Sequence, residues 1–281
     1  MLRESMELLD VRPDGVYLDA TCGLGGHTGA IARRLTTGLV VASDRDAESL
    51  ELARQNTADC AGRIRFYHGA FSSLEKALAS AGVERANGLL ADLGVSRYQL
   101  TTAERGFSLM AEGPLDFRMD RSQSLTASDI VNHHGEEPLA NLIFQLGEER
   151  RSRRIARAIV RARPIKSTTH LASVVEQAAP RTGRIHPATQ TFMALRLAVN
   201  GELDELDALL EIAPRLVAPA GRIVIITFMS LEDRKVKHAF QQLAHSKRAL
   251  ALTKHVIKPG SEEVADNPPS RSAKLRAVEM F

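Results

Sequence analysis

Cysteine is scarce. Cys22 and Cys60 are the only two in 281 residues; they form no C-x-x-C pair, and neither has histidines at zinc-ligand spacing. A disulfide framework and a structural metal are therefore not expected, and a reducing, cytoplasmic setting fits best. Long apolar runs are missing as well, since none approaches the roughly 18 to 20 residues of a membrane span. The opening Met1, Leu2, Arg3, Glu4 carries charge where a secretory leader would be apolar, so no membrane insertion is expected. Neither an internal repeat nor a low-complexity tract is present. Neither sign of charge dominates: 37 Lys and Arg stand against 34 acids, a net charge of +3 and a pI near 9.0. That balance is compatible with a nucleic-acid partner without demonstrating one. The 44% of hydrophobic residues is enough to bury a full core in one large domain or two smaller ones.

The most informative stretch is Val16 to Asp44. Val16 to Asp19 reads as a buried strand running into a turn with glycines at 23, 25 and 26. A helix signal spans 29–35, and a second apolar strand, Leu39 to Ser43, ends in Asp44. Asp44 lies about 25 residues after Asp19, close to the spacing at which a ribose-binding acid follows a glycine turn. The dinucleotide fingerprint G-x-G-x-x-G is not met, because the sixth position counted from Gly23 is Thr28. S-adenosylmethionine has no pyrophosphate and is served by a looser turn, with Asp44 placed for its ribose. A tight strand-to-helix connection with no ligand remains the competing reading of the glycines. His27 fits the first turn of the helix, with no chemistry required of its imidazole.

Strand and helix keep alternating after Asp44: a helix over 47–56, a strand over 64–68, a helix over 72–81 and a strand over 88–93. This predicts a doubly wound, mostly parallel sheet whose ligands lie beyond the carboxyl ends of the strands, near Asp19, Asp44 and Asp92. Between Thr101 and Pro187 no buried strand is convincing. The sheet resumes with the apolar run 222–228 after a helical region over 188–217, and two extended candidates, 252–258 and 273–280, close the chain. The expected organisation is a methyltransferase-like α/β domain over 1–101 and 187–281, with a helical substrate-recognition subdomain inserted over 102–186. A parallel core finished by a C-terminal hairpin is the arrangement of class I (Rossmann-like) methyltransferases.

Further motifs are more particular. They include Ala91-Asp-Leu-Gly-Val-Ser96, Gln99, Glu104-Arg-Gly-Phe-Ser108, Gly113-Pro-Leu-Asp-Phe-Arg-Met-Asp120, His186-Pro-Ala-Thr189, Ala194-Leu-Arg196, Ser230-Leu-Glu-Asp-Arg234 and Ser270-Arg-Ser-Ala-Lys-Leu-Arg276. In order and over nearly the whole chain, these resemble the bacterial small-subunit rRNA cytosine-N4 methyltransferases, the RsmH (MraW) family. The resemblance implies S-adenosylmethionine-dependent methylation of N4 of a cytidine in the decoding region of small-subunit rRNA, within an assembled or nearly assembled small ribosomal subunit. It assigns cofactor contacts to Gly25, Gly26, His27, Asp44, Phe71, Asp92 and Gln99. A homodimer is left open. The family's usual His-x-Pro-Val-Leu opening is absent. Ser96-Arg-Tyr-Gln99 replaces Ser-Ser-Pro-Gln, and Phe117, Met229 and Pro269 stand where methionine, histidine and arginine are usual. Two other readings stay open: a methyltransferase of another substrate class, and a catalytically weakened RNA-binding homologue.

Cytosine N4 is a poor nucleophile, so its site should supply an acceptor for an amino hydrogen. Asp92 is the candidate, with a turn cap at Gly94 as the alternative. Asp116 and Arg118 are further catalytic candidates, on a segment whose charges alternate with Leu115, Phe117 and Met119. Arg105 and Phe117, with Phe107 or Tyr98, are candidates to close over an unstacked base. Arg150, Arg153, Arg154, Arg157 and Arg161 share one helical face, which is either a solvated surface or a phosphate track; Arg154 and Arg157 lead the RNA-binding candidates. Arg196 and Asn200 share a helix face as polar surface or substrate contacts. Ser230 and Asp233 have capping-box spacing. Asn267-Pro268-Pro269 lacks the aromatic of an amino-methyltransferase box, and His133 and His134 lack partners for a metal.

Overall fold

The computed structural model describes residues 1–281 except Thr182 and Arg184. Among the described residues, seven strands form one sheet: β1 (Val16–Asp19), β2 (Leu39–Asp44), β3 (Ile64–His68), β4 (Ala86–Asp92), β5 (Val217–Thr227), β6 (Ala249–Ala251) and β7 (Lys274–Met280). Their order is β3-β2-β1-β4-β5-β7-β6. β1 to β5 pair in parallel, and β7 runs antiparallel between β5 and β6. Successive connections leave in opposite directions at β1 and β4, which opens a crevice beyond their carboxyl ends.

The helices, in chain order, are α1 (Leu2–Leu9), α2 (Gly26–Ala32), α3 (Ala47–Asn56), α4 (Leu74–Ser80), α5 (Arg97–Thr101), α6 (Ala127–His133), α7 (Glu136–Gly147), α8 (Ser152–Ala162), α9 (Thr168–Ala178), α10 (Thr189–Asn200), α11 (Glu202–Leu216), α12 (Ser230–His245) and α13 (Ser261–Asp266). Two compact units result, Met1–Gly94 with Leu203–Phe281, and Val95–Glu202.

The first unit is a sheet covered on both faces, which is why its central strands β1, β2, β4 and β5 carry apolar runs. Leu18, Val41, Leu89, Ile223 and Ile225 pack with Leu74 and Leu78 of α4, Leu206 and Leu209 of α11 and Val236 of α12. The alternate residues Tyr17, Val40, Leu90, Val224 and Ile226 pack with Leu9, Ile31, Leu50 and Ala53 of α1 to α3. Local chemistry sets the helix starts. The Asp46 carboxylate accepts the N–H groups of Glu48 and Ser49 at 3.1 and 3.4 Å and opens α3, a cap worth about 1 kcal/mol.

The expected strand over 252–258 is corrected. The strand is β6, and beyond it Leu252 donates its N–H to Ala277 O at 3.0 Å and Ile257 bridges to Leu275. There the Thr253 hydroxyl accepts the Ala277 N–H at 3.0 Å, so a side chain interrupts the main-chain ladder. α2 begins at Gly26 rather than 29, because Gly25 adopts the left-handed conformation that caps it. A 3-10 turn over Phe71–Ser73 precedes α4.

The second unit is helical and has a separate core. Phe192, Leu195 and Val199 of α10 pack with Phe117, Ile130, Leu139, Ile155 and Leu171. This unit runs wider than the expected 102–186, since α5 and α10 fall inside it. No helix among the described residues is long and apolar enough to cross a membrane.

Candidate active site

The glycine turn joins β1 to α2 in the first unit. Cys22 donates its N–H to Ser43 O at 2.9 Å, and Gly25 donates to Cys22 O at 2.8 Å, folding the chain back at the strand ends. Gly25 has φ +86°, and a Cβ there would meet Thr57 Cγ2 at 2.9 Å, so both conformation and space require glycine. A Cβ at Gly26 would meet nothing within 4 Å, and this residue therefore borders open space.

Three carboxylates end β1, β2 and β4. Asp19 is buried; it accepts the Thr28 hydroxyl at 2.6 Å and the Thr21 N–H at 3.1 Å. Asp44 accepts the Gly23 N–H at 2.7 Å and the Asp46 N–H at 2.9 Å. It thus orients the glycine turn and still has lone pairs for two further donors. Burial pushes both groups up to about 6, with their hydrogen bonds opposing the shift. Asp92 differs. Its N–H is fixed by Thr21 Oγ1 at 2.6 Å, while its carboxylate is 32% exposed and Oδ1 has no hydrogen-bond partner among the described residues. Loss of hydration, with the negative charges of Asp19 and Glu232 adding to it, pushes Asp92 up to about 7.

His27 stands against Asp92, its Nδ1 lying 3.7 Å from Oδ2 with the side chain 15% exposed. Burial lowers the imidazole to about 4, so it is neutral near physiological pH. Sequence reasoning required nothing of this side chain, because the approach to Asp92 closes only when β1 and β4 pair. Phe71 lies in the turn after β3, half-buried against the core, where Gly69 N–H meets Asp44 O at 2.9 Å. Glu232 belongs to the Ser230–Arg234 motif singled out in the sequence. Its buried carboxylate accepts the Phe228 and Met229 N–H groups at 3.1 and 3.2 Å. The expected Ser230–Asp233 capping box is corrected accordingly: Asp233 is bound by Arg276 at 2.7 Å and Lys274 at 3.5 Å instead.

The remaining candidates belong to the second unit. Gln99 and Ser96 cap α5 reciprocally, with Ser96 N–H to Gln99 Oε1 at 2.9 Å and Gln99 N–H to Ser96 Oγ at 3.2 Å. Asp116 and Arg118 form a two-pronged pair at 2.6 and 3.0 Å. Burial works to raise Asp116, but the hydrogen bonds from Arg118 outweigh it and hold the acid low. Such a carboxylate is a poor proton acceptor. Arg105 is 1% exposed and donates to the carbonyls of Arg118 and Met119 at 3.0 and 2.8 Å. Phe117, also 1% exposed and at φ +63°, packs between Phe107 and Phe192 with centroids 6.0 and 5.2 Å away. Asn200 accepts the Met119 N–H and donates to Phe117 O, both at 2.8 Å.

Arg105, Phe117 and Asn200 are thus corrected from nucleotide contacts to groups that shape this loop, because their surfaces are consumed inside the unit. Arg196 pairs with Glu202 at 2.8 and 3.0 Å. In α8, Ile155, Ala156 and Ile159 are buried while Arg153, Arg154, Arg157 and Arg161 are exposed, and Arg157 reaches Glu136 at 3.1 Å. Among the described residues, no group of three or more His, Cys, Asp or Glu is placed to hold a metal ion.

A carboxylate with one unengaged oxygen and a raised proton affinity can take a proton from a bound group. Comparison with known proteins finds methyltransferase relatives. The family model described as the MraW methylase family matches residues 1–281. The ribosomal RNA small subunit methyltransferase H of Solibacter usitatus is 64% identical over 280 residues, covering 100% of this chain and 98% of that protein. The protein of the same name from Koribacter versatilis is 48% identical over 288 residues, covering 98% and 91%. A crystal structure from Clostridium thermocellum, described as a candidate rRNA methylase, superposes with a TM-score of 0.51 at 11% identity over 100% of this chain and 97% of that one. That last likeness shows a shared fold.

Proposed function

The chain belongs to the MraW methylase family, and from that membership we propose that it methylates N4 of a cytidine in the decoding region of small-subunit rRNA, within an assembled or nearly assembled small ribosomal subunit. The methyl donor is S-adenosylmethionine. The relatives' name, ribosomal RNA small subunit methyltransferase H, supports the RNA class. The observation that carries the chemistry is Asp92, whose Oδ1 has no hydrogen-bond partner among the described residues and whose proton affinity is raised.

The first unit fits the cofactor. Gly26 borders open space, Asp44 retains acceptor capacity for ribose hydroxyls, and Phe71 and His27 flank the same strand ends. Gln99 is assigned the remaining contact. When bound, S-adenosylmethionine supplies an electrophilic methyl on a sulfonium, which needs alignment more than activation. Transfer of that methyl to the amino nitrogen would leave sulfur with the former S–C electron pair and nitrogen with one proton too many, which Asp92 would take through its unengaged Oδ1. Asp116 and Arg118, locked to each other, hold the substrate loop rather than moving protons. Arg154 and Arg157 contact RNA phosphates from the exposed face of α8.

The test is incubation with labelled S-adenosylmethionine and small subunits from a strain lacking this methylation, followed by mass spectrometry. One labelled N4-methylated cytidine is expected. Label at another atom or base, or no calorimetric binding of the donor by folded protein, overturns the proposal.

A further inference from the structure

The His27 imidazole faces Asp92, and its position suits a purpose beyond cofactor contact. The two residues come from different elements, α2 and the end of β4, and meet at 3.7 Å between Nδ1 and Oδ2. That distance is longer than a hydrogen bond, and such pairs commonly tighten when a site fills. Each partner has its other polar atom buried without a hydrogen bond among the described residues, Nε2 on His27 and Oδ1 on Asp92. A neutral imidazole carries one N–H; with a carboxylate facing Nδ1 and no acceptor at Nε2, the proton belongs on Nδ1. Other charges near Asp92 are Asp19, Glu232, Glu263 and the Met1 ammonium, which pairs with Glu263 at 2.9 Å. Burial and the three acids make an ionised Asp92 less stable while the Met1 ammonium favours it, and a donor dipole aimed at Oδ2 adds to the favourable side.

We propose that His27 is a positioning residue for Asp92: its neutral imidazole donates Nδ1–H to Oδ2, holding the carboxylate ionised and leaving Oδ1 to receive the proton that the methylated nitrogen sheds. The inference rests on the reading of Asp92 as that acceptor. No bond to carbon is made or broken by His27, and it neither gains nor loses a proton during turnover.

The experiment compares wild-type protein with His27→Ala and His27→Asn, using deficient small subunits as substrate. It measures kcat from about pH 5 to about pH 9 and the calorimetric Kd for S-adenosylmethionine, after thermal melting has verified that each variant folds. In His27→Ala the acidic limb of kcat should move up by about one pH unit, and kcat at neutral pH should fall about tenfold. His27→Asn, whose amide N–H can stand where Nδ1–H stands, should bring the limb back toward the wild-type position. A limb that stays in place in a folded His27→Ala, whatever happens to Kd or KM, reduces His27 to a cofactor contact and overturns the inference alone. So does a His27→Asn variant that behaves like the alanine. A wild-type profile with no acidic limb overturns the reading of Asp92 and the inference together.

Discussion

Burial holds the acids at the strand ends partly protonated near neutrality, and two residue-scale predictions follow from its sign. Asp92, raised to about 7, serves as an acceptor only when ionised, so kcat should climb with pH through that region. Asp92→Asn should keep the fold and lower kcat by roughly 10² to 10⁴-fold, the usual range for a lost general base; near-normal turnover in single-turnover assays would remove Asp92 from the chemistry. Asp19 gives the stability counterpart. Its folded-state value, about 6, lies above its ordinary one, so the native state binds the proton more tightly and stability is lost as pH rises through that window. Asp19→Asn deletes the buried charge and keeps the shape. Its stability relative to wild type should therefore improve between about pH 4 and about pH 6, by on the order of 3 kcal/mol, and then level off. Denaturant melts at several pH values check this, and a difference that does not vary with pH contradicts it.

At the scale of elements, the two units put charge to different uses. The exposed arginines of α8 stand opposite a buried Ile155–Ile159 face, and the Arg157–Glu136 pair is too exposed to matter much for stability. Arg154→Glu with Arg157→Glu should therefore leave melting and S-adenosylmethionine affinity alone, while lowering the salt slope of RNA binding by roughly 1.5 if each contacts one phosphate. An unchanged slope returns α8 to ordinary surface. Asn200 is the opposite case. Asn200→Ala strips a partner from the Met119 N–H and the Phe117 carbonyl, and should destabilise the second unit by about 2 to 4 kcal/mol in denaturant melts.

Such elements also show what a sequence can and cannot display. α3 was legible to the residue, because Asp46 and the apolar spacing act locally, and β2 was legible because a strand covered on both faces is apolar throughout. The membership of α10 was not: its apolar stripe looks the same whichever core receives it. Phe117 was misread because an aromatic in a charged loop reads as a stacking surface, and only the neighbouring Phe107 and Phe192 show that it is core. The approach of His27 to Asp92 was invisible for the same reason, being a product of strand pairing.

For the whole molecule, the consequence lies in cooperativity. The first unit's apolar clusters and the second unit's share no residue, so each has its own reason to stay folded. Glycine turn, Asp44, Phe71, His27 and Asp92 all belong to the first unit, whereas Gln99 opens the second. A ligand that binds only folded protein stabilises whatever must unfold to release it, by about 2.7 kcal/mol at roughly a hundred times its Kd. Hydrogen exchange with and without S-adenosylhomocysteine, the donor stripped of its methyl, should therefore slow at the amides of 22–28, at the ends of β2 and β4, and through the core strands β1, β4 and β5. Helices α7 to α10 should exchange at unchanged rates. Uniform slowing across α7 to α10 would mean that both units open as one body, and that separate cores do not make separate folding units here.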